Sequence, residues 1–175
     1  MVVLRPTRKL QKLLPVEADS ERQSDGALGD WYVNRFVVDR RPLLMIVSST
    51  SLLSAIEPAR DIRTLPERLA SIVADRLYWL GVDQRVIDAE VAVMKPVALA
   101  ATKDRSVMGI VVECCKTAEY LLPINGWNEA SLVEVETSLR KTPWFSGRRV
   151  AVFPQEKALE LLYGRWGEQI DAGTA

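Results

Sequence analysis

The 175-residue sequence contains no histidine. Histidine is the commonest general base, the commonest zinc ligand and the base in Ser-His and Cys-His nucleophile pairs. Its absence excludes most hydrolase mechanisms. Carboxylates, lysine and tyrosine remain available for chemistry, but no DxD or ExxE cluster is present to seat Mg²⁺. We therefore expect a protein that is not an enzyme and that uses neither a metal nor a cofactor.

A net charge and long apolar runs are also missing. The 23 Lys and Arg residues balance 23 Asp and Glu residues, so no global field draws the chain toward nucleic acid or an anionic membrane. No apolar run approaches the roughly 20 residues that a transmembrane helix needs. Arg5, Pro6 and Arg8 interrupt the apolar N-terminal stretch, which lacks the hydrophobic region of a signal peptide. We expect a cytoplasmic protein with no membrane partner.

Cysteine is scarce. The two cysteines, Cys114 and Cys115, are adjacent within a helical pattern, where their side chains project about 100° apart. They are not placed to form an ordinary structural disulfide. We expect both thiols to be reduced, with Cys114 buried on the apolar face of its helix.

The composition that remains is typical of a folded protein, with 48% hydrophobic and 26% charged residues. The length fits one globular domain over residues 1–175. Residues 16–30, VEADSERQSDGALGD, are polar and include Gly26 and Gly29. This segment is predicted to be a mobile loop.

Apolar periodicity predicts the secondary structure. Strands are expected over residues 2–7, 31–39, 42–50, 51–59, 97–102 and 148–154, and helices over residues 64–81, 83–94, 104–123, 128–143 and 155–167. Thr64 with Glu67 has the spacing of a capping box, and Asp83 and Asn128 are expected N-caps. The order of elements predicts an α+β fold, with four or five helices packed on a mixed or antiparallel sheet that contains a 31–50 hairpin.

The stretch ATKDRSVMG, residues 101–109, combines charge with a helix start. Thr102 is the expected N-cap. Lys103 and Arg105 are unfavourable at the positive end of a helix dipole unless an anion lies there, and Ser106 adds a hydroxyl. We expect a capped helix start. An anion site formed by Lys103, Arg105 and Ser106 is the alternative.

A second candidate site combines the aromatic strand WYVNRF with the turn DRR. Trp31, Arg40 and Arg41 together have the chemistry to stack on and clamp a nucleotide or a single strand. The simpler expectation is that one aromatic side chain lies in the core and that the charged hairpin tip discourages edge pairing.

Trp144 and Phe145, in KTPWFSGRR, are candidates for a partner surface. An exposed aromatic pair of this kind marks an interface. We expect burial against the last strand, with the partner surface as the alternative.

Four segments, RPTRKLQKLL, WYVNRFVVDRRPLLMIV, TKDRSVMG and SLRKTPW…VFPQEKALELL, together resemble one family in their order and spacing. It is an uncharacterised family, a domain of unknown function, of small bacterial and archaeal proteins often adjacent or fused to plasmid ORF-3-like proteins. TKDRSVMG and the W-x-x-N-x-F strand are the most specific parts. The resemblance implies a small α+β domain from a mobile-element, toxin–antitoxin or defence context, without an established activity.

The chain departs from the family pattern at several polar positions. Val112 and Glu113 stand where the family has an Asn-Asp pair, and Arg140 and Ser48 stand where Asn is usual. These departures weaken the idea of a shared polar active site. The resemblance leaves these positions as site candidates: Trp31, Asn34, Lys103, Arg105 and Ser106.

These observations favour a non-catalytic interaction or regulatory module whose partner is an unknown protein or a second copy of the chain. The alternative is a nucleic-acid or nucleotide-phosphate binding protein, or even a histidine-free phosphoryl-transfer enzyme, with Lys103, Arg105, Arg40 and Arg41 on one face. A homodimer with Trp144 and Phe145 in its two-fold interface is a third hypothesis.

Overall fold

The structure, a computed structural model, describes residues 1–16, 21–124, 126–145 and 150–172. Its strands are β1 (Val2–Pro6), β2 (Trp31–Val38), β3 (Arg41–Ser48), β4 (Ser54–Pro58) and β5 (Val97–Leu99). Its helices are α1 (Leu65–Trp79), α2 (Gln84–Ala92), α3 (Arg105–Ile124), α4 (Glu129–Lys141) and α5 (Pro154–Ala172). A short 3-10 turn, Ile62–Thr64, precedes α1.

The strands form one mixed sheet in the order β4-β3-β2-β1-β5. β1 runs parallel to β2 and β5, whereas β2 with β3 and β3 with β4 are antiparallel. The chain leaves β4 at one edge, forms α1 and α2, and returns as β5 at the other edge. The predicted α+β fold with a mixed sheet is confirmed.

The predicted hairpin is formed by β2 and β3, which pair from Trp31 with Ser48 to Val38 with Arg41. Its turn places Asp39 and Arg40 at φ 49° and 63°. Two consecutive residues with positive φ are typical of a two-residue type I′ turn, whose backbone twist matches the twist of the two paired strands. Aspartate tolerates this conformation because its short polar side chain can bond locally.

Both faces of the sheet are covered, because alternate residues of its central strands are apolar. On the first face, the strand residues Trp31, Val33, Leu44 and Ile46 pack with α1, α2 and α5. On the second face, Tyr32, Phe36, Met45 and Val47 pack with α3 and α4. The result is three layers, helix on sheet on helix.

The helix caps are confirmed in part. Asp83 accepts a hydrogen bond from the Arg85 amide, and Asn128 forms a capping box with Ser131. The Thr64–Glu67 capping box is wrong, because Thr64 lies in the 3-10 turn and its hydroxyl donates to Asp61 O.

The predicted late strand is also wrong in the part that the structure describes. Residues 150–153 form no strand, and Val152 makes only an isolated bridge with Trp144. Residues 148 and 149 lie outside the described residues. Residues 150–153 are therefore a connection into α5, and among the described residues no strand lies beside them.

The segment predicted to be a mobile loop is described at residue 16 and over residues 21–30. Its second half runs beside β1, where Ser24 Oγ accepts from Val3 N at 2.8 Å and Asp25 N donates to Met1 O at 2.9 Å. The mobility of the loop stays a prediction.

Glu90 of α2 fastens this loop to two helices. Its buried carboxylate accepts hydrogen bonds from the amides of Ala27 (2.8 Å) and Leu28 (3.1 Å) and from Trp166 Nε1 of α5 (2.7 Å). A Cβ on Gly26 would lie 2.5 Å from Glu90 Oε1, so a side chain there would displace the carboxylate. Glu90 thus joins α2, α5 and the loop before β2.

Candidate functional site

The start of α3 is a capped helix end. Asp104, and not Thr102, is the N-cap, because its Oδ1 accepts from Ser106 N at 2.8 Å and Val107 N at 3.2 Å. The prediction that Thr102 caps the helix is wrong. The Asp104 carboxylate already occupies the position that an anion would take at this helix terminus. Lys103, Asp104, Arg105 and Ser106 are all exposed around it.

A polar cleft of about 360 Å³ lies beside this helix start. It opens where β2 begins and β3 ends, and its walls include Asp30, Tyr32, Ser49 and Lys103. Tyr32 OH accepts from Asp104 N at 3.1 Å, which ties the cleft to α3. Burial raises the pKa of Tyr32, so this phenol stays protonated at neutral pH.

Much of the polar wall is engaged in internal bonds. The fully buried Arg5 donates to Asp30 Oδ2, Ala101 O and Arg22 O, each at 2.6 Å. Ser24 donates its hydroxyl to Asp30 Oδ1 at 2.8 Å. This network joins β1, the loop before β2 and the loop after β5, so its first role is structural.

The hairpin tip with Arg40 and Arg41 lies at the other end of β2. Tyr32 marks the α3 end of that strand, and Val38, six residues along, pairs with Arg41. At about 3.3 Å per residue the two ends are about 20 Å apart. The four basic candidates, Lys103, Arg105, Arg40 and Arg41, therefore do not form one patch.

Trp31 and Asn34 point into the fold. Trp31 is 2% exposed in the first core, so it offers no ring face for stacking on a ligand. Asn34 Oδ1 accepts from the Thr7 hydroxyl at 3.1 Å, and its Nδ2 donates to Cys115 Sγ at 3.7 Å. The simpler expectation placed one aromatic side chain in the core, but Trp31 and Tyr32 are both buried, one on each face of the sheet.

Trp144 and Phe145 have different environments. Trp144 is half-buried, donates its Nε1 to Leu139 O at 3.3 Å and pairs with Val152. Phe145 is 60% exposed, and Val150 nearby in sequence is 74% exposed. Trp144 is thus partly buried beside an isolated bridge and not against a last strand, and Phe145 is exposed.

The outer edge of β4 is closed by a buried ion pair. β4 is the edge strand, and the outward-facing groups of Ile56 have no neighbouring strand. Ile56 N donates to Glu136 Oε1 of α4 at 2.6 Å, and Arg76 NH2 of α1 donates to Ile56 O at 3.1 Å. Arg76 also binds Glu136 at 2.8 Å and Glu57 at 2.7 Å. Two side chains thereby take the place of a neighbouring peptide group.

Burial raises the pKa of Glu136, against the opposing effects of Arg76 and the Ile56 amide. The carboxylates of Glu136 and Glu57 raise the pKa of Arg76 against the lowering effect of its burial. The guanidinium therefore stays charged, and the pair holds α1, α4 and β4 together at this edge.

An open groove runs along the same edge. One recess, about 270 Å³, lies near the hairpin and includes Arg41, Arg60 and Trp127 in its walls. We call it the hairpin section. A second recess, about 510 Å³, includes Asp75 and Trp79, and we call it the Trp79 section. The two sections adjoin, because they share wall residues, namely Pro58, Glu129 and Leu132, and we call them together the groove.

Trp127 anchors the hairpin section. The guanidinium of Arg41 lies 4.6 Å from the centre of its ring, and Trp127 Nε1 donates to Asp39 Oδ2 at 3.0 Å. Of the basic candidates from the sequence, Arg41 is the one whose side chain lines this groove. Sequence reasoning missed the remaining wall residues, because a salt bridge between helices 60 residues apart leaves no local pattern.

In the part of the chain that the structure describes, the two cysteines are buried and the acidic groups form no metal-binding cluster. Both thiols are free and buried. Burial raises the pKa of Cys115 to about 12 and that of Cys114 still further. Within the described ranges, no group of three or more His, Cys, Asp or Glu residues is arranged to hold a metal ion. None of the helices described has the length and hydrophobicity needed to span a bilayer.

Comparison with known proteins gives a family and no function. A search of the curated proteins finds no match to this chain. The model of the family described as a domain of unknown function (DUF6933) matches residues 3–157. This match extends from β1 into the first turn of α5 and so includes the sheet apart from Val2, the edge groove and the start of α3. The chain therefore belongs to the DUF6933 family.

Proposed function

We propose that this protein is a non-catalytic recognition module that holds a segment of a partner protein in the groove beside β4. The observation that carries this proposal is that two adjoining recesses lie along one sheet edge and include two tryptophans, Trp79 and Trp127, in their walls. Tryptophan and arginine are the residues most enriched at the energetic centres of protein interfaces. Trp79 is 43% exposed and Arg41 is exposed, so both are available to a partner.

The closed edge determines how a segment would bind. Peptides often bind by adding a strand to an open sheet edge. Here the outward groups of Ile56 are bonded to Glu136 and Arg76, and Pro58 has no N–H to donate. The partner segment is therefore held by its side chains in the groove and not by backbone pairing with β4.

The wider setting of this proposal comes from the sequence resemblance. We propose a cytoplasmic regulatory role in bacteria or archaea, in a mobile-element, toxin–antitoxin or defence context near plasmid ORF-3-like proteins.

A display experiment tests the groove. Random dodecamer peptides are selected on the purified chain and on the variant Ala130→Trp, which fills the groove from an exposed position of α4. We expect enrichment on the wild-type chain and its loss on Ala130→Trp. Ser138→Trp, also exposed on α4 but outside the groove walls, is the matched control and should enrich the same peptides. Equal enrichment on all three chains would overturn the proposal.

A phosphate-binding function is the second candidate, favoured by the exposed Lys103 and Arg105 beside the polar cleft. The ligand would be a nucleotide or nucleic-acid phosphate, without the distant Arg40 and Arg41. Binding of nucleotides or single strands that weakens with salt and with Lys103→Glu would support it, since phosphate contacts release counterions. Turnover of a nucleotide that is lost on Arg105→Ala would establish phosphoryl transfer and contradict the non-catalytic proposal.

A second copy of the chain is the third candidate partner, favoured by the exposed Phe145 and Val150. A two-fold interface there predicts a dimer in sedimentation that dissociates on Phe145→Glu. A single monomer peak at micromolar concentration would exclude it.

A further inference from the structure

The charges of the Trp79 section define the chemistry of the partner segment. We infer, resting on the proposed function, that this section takes a basic side chain, an arginine or lysine, from the partner. Its walls carry four carboxylates, those of Glu57, Asp75, Glu129 and Glu136, against the single guanidinium of Arg76. A recess with one predominant sign of charge and apolar walls attracts a group of the opposite sign.

Two of these carboxylates are open to a partner. Glu57 and Glu136 are bonded to Arg76 and are largely buried. Asp75 on α1 and Glu129 at the start of α4 are exposed in the walls of the recess. Both carboxylates would attract a cationic group in the recess without breaking the buried pair.

Arg76 shows how these walls hold a guanidinium. Its charged group lies 4.9 Å from the centre of the Trp79 ring and bonds to carboxylates on two sides. Trp79 keeps 43% of its surface exposed, so ring surface remains for a second cation. A cation over a tryptophan face is the strongest arrangement of this type.

The hairpin section gives the segment a direction. Its charged wall residues are Arg41, Arg60 and Glu129, so cations predominate there. A basic side chain is favoured toward Trp79 and disfavoured toward Arg41 and Arg60. The partner segment therefore carries its basic side chain at one end, with apolar or acidic side chains beside the hairpin.

The test uses the peptides that the wild-type chain selects from the random dodecamer library. We expect arginine and lysine to be enriched at one end of these peptides relative to the input library. For one selected peptide, Asp75→Asn and Glu129→Gln should each weaken binding about two- to fivefold at low salt, and high salt should reduce the difference. Glu119→Gln, an exposed carboxylate of α3 outside the groove, is the control and should leave binding unchanged.

The outcomes separate this inference from the proposed function. Selected peptides that are neutral or acidic, yet are blocked by Ala130→Trp, would overturn the basic partner and leave the groove as the site. Basic peptides whose binding ignores both Asp75→Asn and Glu129→Gln would also overturn it. If no peptide is enriched on the wild-type chain and lost on Ala130→Trp, the proposed function itself is overturned.

Discussion

Single residues decide what the start of α3 can do. Asp104 caps the helix with its own carboxylate and also donates its amide to Tyr32 OH. The two flanking cations, Lys103 and Arg105, therefore lie beside a resident negative charge, which accounts for basic residues at a helix N-terminus without a bound anion. The sequence analysis missed the cap residue, because it placed the N-cap at Thr102 and Asp104 in the first turn.

The cap makes a direct prediction. Asp104→Ala removes the acceptor for two amides of the first turn, so we expect a loss of about 1 kcal/mol in the free energy of unfolding. For a chain of this size the melting temperature falls by about 2–4 °C. Thr102→Ala should leave the melting temperature unchanged in the same thermal denaturation. A larger loss on Thr102→Ala than on Asp104→Ala would show that the cap is misassigned.

The burial of the two adjacent cysteines leads to a second prediction at the residue scale, about thiol labelling. Burial raises the pKa of Cys115 to about 12 and that of Cys114 further. Thiolate is the reactive form, so we expect very slow labelling of the native chain by a disulfide reagent at about pH 8 and rapid labelling of both thiols in guanidinium chloride. Fast native labelling of either thiol would contradict the burial.

The raised thiol pKa values also make the free energy of unfolding depend on pH. The thiols ionise more readily in the unfolded chain than in the folded chain. The stability they contribute is therefore fully present below the ordinary thiol pKa and is lost as the pH rises through it toward about 12.

At the scale of elements, the outer edge of β4 is protected by helices on either side of the sheet. Edge strands expose unpaired backbone groups that invite pairing with other chains. Here α1 supplies a donor through Arg76 and α4 supplies an acceptor through Glu136. The protection leaves the neighbouring groove open, so recognition there depends on side chains.

This edge predicts a large difference between two arginines of α1. Arg76→Ala leaves Glu136 buried without its cation, and we expect a loss of about 3–5 kcal/mol in the free energy of unfolding. Arg68→Ala removes a half-buried arginine whose guanidinium lies 3.9 Å from Glu57, and it should cost less than about 1 kcal/mol. Urea denaturation of both variants measures the difference. Equal losses would mean that the buried pair contributes no more than a surface contact.

At the scale of the whole molecule, a few buried polar side chains connect parts distant in sequence. Glu90 joins the loop before β2 to α2 and α5. Arg5 joins β1 to the loop before β2 and to the loop after β5. Each carries bonds to three partners. The first helical layer and the loop therefore depend on one another.

Glu90 gives the molecular-scale prediction. Glu90→Ala leaves two backbone amides and the Trp166 indole without an acceptor, and we expect a loss of about 3 kcal/mol in the free energy of unfolding. Hydrogen exchange should accelerate at the amides of Ala27 and Leu28, with little change in α3 on the other face. Glu90→Gln keeps one acceptor oxygen and should show a smaller effect. Unchanged exchange at both amides would contradict the role of Glu90.

Local patterns in the sequence were sufficient to predict most of the helices and strands. The period of two in WYVNRFVV and the three- and four-residue spacing in α1 and α3 predicted one strand and two helices, because apolar residues must face a core. The burial of Cys114 and the caps at Asp83 and Asn128 were likewise predictable. The late strand was not, since an apolar run becomes a strand only when a neighbour pairs with it.

The sequence by itself determined the α+β class, the hairpin and the absence of imidazole chemistry, because these depend on composition and on neighbours along the chain. Only the tertiary structure decided that Arg76 meets Glu136, that Arg41 meets Trp127 and that Lys103 lies far from Arg40. Those contacts and separations depend on the order of the strands and on which face of the sheet each helix covers. Residues distant in the chain become neighbours through that order, and no local periodicity encodes it.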